Sequence, residues 1–185
     1  AVANTNDAPS VSSTAVTAAS EDAAYSYSIA TSDDDSDSSD TWTITSTSVS
    51  WLTLTHTAGA GTATLAGTPV DGDVGDHSVT ITVADAAGAT GTQAFTITVA
   101  NTNDAPSITS TAVTAVDEDA AYSYSITTSD DDSDSGDSWA ISATSVSWLT
   151  LTDAADGTAT LAGTPANGDV GSHSVTVTAA DAAGA

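Results

Sequence analysis

The sequence contains no lysine and no arginine, against 25 acidic residues and three histidines among 185 positions. The resulting net charge of −25 excludes whole classes of partner. Nucleic-acid binding needs side-chain cations to displace phosphate counterions, and this chain offers none. An anionic membrane surface repels it for the same reason. Ordinary salt bridges are ruled out too, so the protein's own field opposes its compact state. Any counter-charge must come from solvent, which points to small cations. Cysteine is also absent, which excludes disulfides, thiolate chemistry and zinc–sulfur sites. No apolar run approaches the length of a membrane span, so no membrane insertion is expected. Nor is a signal peptide recognisable, because residue 1 already sits inside a repeating pattern.

What is present suffices for a core. The chain is 39% hydrophobic with four tryptophans and four tyrosines, which argues against disorder despite the charge. It also repeats itself. "NTNDAPS" begins at Asn4 and again at Asn101, an offset of 97 residues. The same offset relates "EDAAYSYSI" at 21–29 to 118–126, "SDDDSD" at 32–37 to 129–134, and "VSWLTL" at 49–54 to 146–151. "GTATLAGTP" at 61–69 returns at 157–165, so one residue is deleted before it, and "ADAAGA" at 84–89 returns at 180–185. The expected organisation is the tail of an upstream repeat at 1–3, a first repeat at 4–100, and a second at 101–185. The second stops before any counterpart of "TQAFTITVA" and is expected to lack its last strand. The chain then reads as a window on a longer tandem array; the alternative is a strand donated by another chain.

Within each repeat the pattern is that of β-structure. Tyr25, Tyr27 and Ile29 alternate with Ser26 and Ser28. Val79, Ile81 and Val83 alternate with serine and threonine, and so do Phe95, Ile97 and Val99. Period two with one apolar face predicts antiparallel strands buried on one side. Glycine-rich clusters separate the runs, and about seven short strands per repeat predict an all-β fold of tandem Ig-like sandwiches.

These residues carry a resemblance. The "NTNDAP" linker, the "EDAAYSYSI" strand, the "TSDDD" run, "VSWLTL", the "GTATLAGTP…DVGDHSVTITVAD" block and "DAAG" follow one another twice. In that order they resemble the cadherin-like domains of bacterial surface proteins, specifically the dystroglycan-type cadherin-like branch. The resemblance implies calcium (Ca2+) held where successive domains join. One such set would comprise Glu21, then Asn101, Asn103 and Asp104 of the linker, then Asp130, Asp132 and Asp181. The upstream set would comprise Asn4, Asn6, Asp7, Asp33, Asp35 and Asp85, and Glu118 would serve a downstream one. Two departures stand out: the linker opens with Asn where animal cadherins carry Asp, and no Asp-Arg-Glu motif exists. Asp71 or Asp73 is the candidate substitute. Independently of the family, calcium takes six to eight hard oxygens, and a linker of Asn and Asp beside an acidic loop supplies them.

Other readings are weaker. The aspartate run is not an EF-hand, because Ser38 stands where Gly is required and Ile44 where the bidentate Glu belongs. Trp42, Trp51, Trp139 and Trp148 suggest carbohydrate stacking only if they are surface residues, and "VSWLTL" reads as buried. His77 and His173 read as surface or strand-edge residues, with no oriented nucleophile beside them. No carboxylate pair is singled out for glycoside hydrolysis. No enzyme is expected. The expected function is a calcium-rigidified spacer in an extracellular bacterial surface protein or fibre, its partners being neighbouring repeats and like chains. The alternative is a binding module for self-association or carbohydrate.

Overall fold

Alternating apolar and hydroxyl side chains decide the architecture. The computed structural model describes residues 5–34, 43–57, 59–132 and 140–183. Asn4, Asp35, Trp42 and Trp139 lie outside the described residues. The chain divides into two units, Ala1–Thr102 and Asn103–Ala185.

Among the described residues of the first unit, eight strands form two four-stranded sheets. They are β1 (Ser10–Val11), β2 (Ala18–Ser20), β3 (Tyr25–Ser32), β4 (Thr43–Ser46), β5 (Leu52–His56), β6 (Thr62–Gly67), β7 (Gly75–Ala84) and β8 (Thr90–Ala100). One sheet runs in the order β1-β3-β6-β5 and the other β2-β8-β7-β4. Their inner faces meet in one core. Tyr25, Tyr27, Ile29, Ala63 and Leu65 come from the first sheet, and Val79, Ile81, Val83 and Ile97 from the second. Each fully buried Val, Leu or Ile contributes about 1.5–3 kcal/mol by leaving water. The serines and threonines between them face outward, for example Ser28, Thr55 and Thr64 in one cross-strand row.

Two details depart from the sequence expectation. Among the described residues the strand pairs are antiparallel except one, because β2 runs parallel to β8 from Ala18–Thr98 to Ser20–Ala100. The leading segment pairs with β3 through β1, then crosses to the other sheet and joins β8 in the same direction. "VSWLTL" begins as a turn, so Trp51 precedes its strand rather than lying within it.

The second unit repeats the plan with β9 (Ser107–Ile108), β10 (Tyr122–Ser129), β11 (Ala140–Ala143), β12 (Leu149–Asp153), β13 (Thr158–Gly163) and β14 (Val177–Ala180). The sheet β12-β13-β10-β9 matches the first sheet of the first unit. Opposite it, the described residues hold only the pair β11-β14. β7 begins at Gly75, but its counterpart β14 begins six residues later in the repeat, at Val177. The reason lies in the ladders: residues Gly75–Thr80 of β7 pair with β8, whereas β4 reaches only Ile81–Ala84.

Candidate metal centre

Glu21 is placed by the turn that follows it. Asp22 has φ of 55°, in the left-handed region, and its N–H donates to Pro69 O at 2.9 Å. The second repeat copies this with Asp119, at φ 60°, bonded to Pro165 O at 2.8 Å. Aspartate tolerates this region better than most non-glycine residues, which accounts for the Glu-Asp pair at the head of each "EDAA". The Glu21 N–H donates to Ala100 O at 3.0 Å, and the Thr102 N–H donates to Glu21 Oε1. The side chain is only 2% exposed, and its Oε2 has no hydrogen-bond partner among the described residues. A carboxylate oxygen of Asp71 lies within 4.8 Å of one from Glu21. Between the two candidates for the missing acidic motif the geometry is unequal. Asp73 is occupied locally, accepting from the Val70 N–H at 3.1 Å and from Ser50 Oγ at 3.2 Å. Glu118 is exposed.

The second unit builds a connected acidic network. Asn103 Nδ2 donates to Asp181 Oδ2 at 2.7 Å and to Asp104 O at 3.0 Å. The Asp104 N–H donates to Asp132 Oδ2, and the Asp132 N–H donates to Asp130 Oδ1 at 3.2 Å. Asp130, Asp132 and Asp181 are 8%, 7% and 8% exposed. Asp130 Oδ2 is buried without a hydrogen-bond partner among the described residues. An ionised carboxylate is expensive to remove from water unless it is paired or coordinates a metal. Since the chain has no Lys or Arg, a divalent cation is the counter-charge that fits. Hard carboxylate and amide oxygens are the donor set calcium takes.

The corresponding residues of the first unit are more open. Asn6 Nδ2 donates to Asp85 Oδ2 at 2.9 Å and to Asp7 O at 3.0 Å, repeating the Asn103 pattern. Asp85 Oδ1 accepts from the Ala89 N–H at 2.9 Å. These bonds, that from Asn6 foremost, hold the Asp85 carboxyl below its ordinary pKa. Asp33 and Asp85 are half-buried, Asn6 and Asp7 exposed, and Asn101 is exposed.

The aromatic and histidine residues have structural surroundings. Trp51 meets Tyr25 edge-on at 5.6 Å and His77 at 5.8 Å, and packs against the first core. Trp148 repeats this with Tyr122 and His173. His77 lies half-buried in the stretch of β7 that pairs with β8 alone, and its Nε2 meets Asp73 O at 2.6 Å.

Comparison with known proteins agrees with this architecture. A family described as "Putative Ig domain" matches residues 8–100 and 105–185. Solved structures with similar folds include PcdhgB3 EC1-4, at 18% identity and TM-score 0.63, covering 97% of this chain and 47% of that one. Protocadherin Gamma B7 extracellular cadherin domains 1-4 overlay at 16% identity and TM-score 0.55, covering 93% of this chain and 45% of that one. An endo-fucoidan hydrolase, MfFcnA4 of glycoside hydrolase family 107, is 26% identical with TM-score 0.42, over 90% of this chain and 26% of that one. The chain thus spans between about a quarter and a half of these proteins. No curated protein sequence matches it. Two family matches covering most of the chain establish that it belongs to this Ig-domain family, as a tandem pair of Ig-like domains sharing the cadherin fold.

Proposed function

We propose that this chain is a calcium-stiffened spacer, a non-enzymatic segment of a long extracellular bacterial surface protein or fibre that extends an adhesive end. The finer assignment, to the dystroglycan-type cadherin-like branch, rests on the twice-repeated linker, acidic run and strand motifs. The observation that carries the reading is the pair of buried oxygens, Glu21 Oε2 and Asp130 Oδ2, that have no hydrogen-bond partner among the described residues, in a chain with no Lys or Arg. Glu21, Asn101 and Asp71 would act from the first unit, and Asn103, Asp104, Asp130, Asp132 and Asp181 from the second. Asn6, Asp7, Asp33 and Asp85, with Asn4 and Asp35, would serve an upstream ion, and Glu118 a downstream one. The bound ion would neutralise the buried carboxylates and hold consecutive repeats in a fixed geometry.

Extracellular sites of this type bind at about 10⁻⁴–10⁻³ M. At roughly 10 to 100 times the dissociation constant, each site adds about 1.4–2.7 kcal/mol. Thermal melting in calcium and then in chelator, at matched ionic strength, tests the reading. A higher melting temperature in calcium is expected, with a scattering profile that stiffens at constant mass. Identical curves would sink it. Asp130→Asn separates a site from general screening. It should reduce the calcium-dependent gain while leaving the chelated protein at least as stable, because it removes a buried, uncompensated charge. Carbohydrate stacking is disfavoured for Trp51, whose ring packs against the first core.

A further inference from the structure

The turn after β13 departs from its first-repeat counterpart at a chemically consequential position. "TPVDGDVG" at 68–75 becomes "TPANGDVG" at 164–171, so Asn167 stands where the first repeat has Asp71. The scaffold around it is copied. The Asp73 N–H donates to Val70 O at 2.7 Å, and the Asp169 N–H to Ala166 O at 2.8 Å. The Val70 N–H donates to Asp73 Oδ2 at 3.1 Å, and the Ala166 N–H to Asp169 Oδ2 at 2.9 Å. His77 Nε2 meets Asp73 O at 2.6 Å, and His173 Nε2 meets Asp169 O at 2.7 Å. The Asp119 bond to Pro165 O likewise repeats that of Asp22 to Pro69 O. One framework thus carries Glu21 and Asp71 in the first repeat, and Glu118 and Asn167 in the second.

We propose that Asn167 is a site of spontaneous deamidation, through which the second repeat acquires the carboxylate that the first encodes. Of the five asparagines, Asn4, Asn6, Asn101, Asn103 and Asn167, Asn167 alone is followed by glycine. The deprotonated Gly168 nitrogen attacks Asn167 Cγ, the Cγ–Nδ2 bond breaks, and ammonia leaves behind a succinimide ring. Water, the one co-reactant, then opens the ring. Cleavage of the new Cγ–N bond gives aspartate; cleavage at the backbone carbonyl gives isoaspartate. A side chain on the following residue would crowd the attack and stiffen the backbone, and glycine has none. Asn167 and Gly168 are exposed, and the turn Asn167–Asp169 buries no residue. The two bonds that close this turn leave out the Gly168 N–H, the attacking group. Opening so short and exposed a turn costs little, so the fold permits the backbone rotation that ring closure needs. Asn103 is a contrast, since its Nδ2 is held by Asp181 Oδ2 at 2.7 Å and by Asp104 O at 3.0 Å. The aspartate product restores at 167–169 the Asp-Gly-Asp of 71–73. Service of that carboxylate to the ion assigned to Glu118 rests on the calcium reading above; the modification itself does not.

The test ages the full 185-residue chain, and a synthetic peptide of residues 164–172, "TPANGDVGS", in mildly alkaline buffer with chelator. Intact mass follows the exchange of NH2 for OH, and fragmentation of peptic peptides locates it. Conversion confined to Asn167 is expected, within about tenfold of the peptide's rate, with aspartate and isoaspartate both formed. Gly168→Ala should suppress it in chain and peptide alike. That variant keeps the fold, because a Cβ on Gly168 meets nothing within 4 Å. An Asn167 that persists while the peptide is consumed would overturn the proposal. Equal conversion at Asn4, Asn6, Asn101 or Asn103 would do so as well, and so would a rate unmoved by Gly168→Ala. Because the readout is mass in the presence of chelator, failure of the calcium reading leaves this result standing, and the reverse holds too.

Discussion

At the residue scale, the acidic side chains include some held by local hydrogen bonds, such as Asp73 and Asp85, and two, Glu21 and Asp130, with a buried oxygen that has no hydrogen-bond partner among the described residues. Asp22 belongs to a third group, chosen for its own backbone conformation at φ 55°. Asp22→Val should cost about 1–2 kcal/mol, because a β-branched residue resists the left-handed region, while Asp22→Gly should be tolerated. Denaturant unfolding of the two variants checks this; equal losses would show that the carboxylate matters rather than the backbone. Tyr25 gives a second handle. Burial, assisted by the neighbouring Tyr27, pushes its phenol up from 10.0 to about 12. Its hydroxyl donates to Val16 O at 2.8 Å. A group whose folded pKa is raised contributes stability below the unfolded pKa and loses it as pH climbs toward the folded one. Stability should therefore fall between about pH 10 and 12, and Tyr25→Phe should flatten that decline. Tyrosinate absorbance recorded alongside unfolding reads both.

At the element scale, the strands were legible and their company was not. Tyr25, Tyr27 and Ile29 fixed β3 because period two has no other reading at that length. The same held for Val79, Ile81 and Val83 in β7. The parallel seating of Ala18–Ser20 beside β8 was not readable, since three small residues carry no periodicity. The candidate ligands were visible as repeated acids, but the choice of Asp71 beside Glu21 depended on a short turn that sends Asp73 back to Val70. Glycine in "GTATLAGTP" has an explanation only in three dimensions. A Cβ on Gly67 would stand 1.8 Å from the carbonyl oxygen of Trp51, and Gly163 meets Trp148 identically. Backbone cannot yield as a side-chain tip can. Gly67→Ala should destabilise the first unit by about 3 kcal/mol, in the upper part of the range for single substitutions. Gly72→Ala, with open space around it, should be nearly silent. Tryptophan fluorescence melts of the pair decide the matter, and comparable stability in both variants would count against the Trp51 contact.

At the scale of the whole molecule, two cation effects overlap and can be separated by concentration. A net charge of −25 with no compensating Lys or Arg destabilises the compact state through self-repulsion. Any salt relieves part of that, because the screening length falls from about 30 Å at 0.01 M to about 10 Å at 0.1 M. Sodium chloride alone should therefore raise the melting temperature smoothly, and most of its effect should be spent by a few tenths molar. A built site behaves differently. Millimolar calcium scarcely changes ionic strength against a 0.15 M background, yet it is comparable to or above the expected dissociation constant. Calcium should therefore add a further, saturating increment on top of the sodium plateau, and magnesium should add less because it sheds its waters reluctantly. Substituting Asp130 and Glu21, each with one buried oxygen that has no hydrogen-bond partner among the described residues, should remove that increment and leave the sodium response intact. If calcium instead produces only what equal ionic strength of sodium produces, the acids act as a diffuse charge and no ion is held.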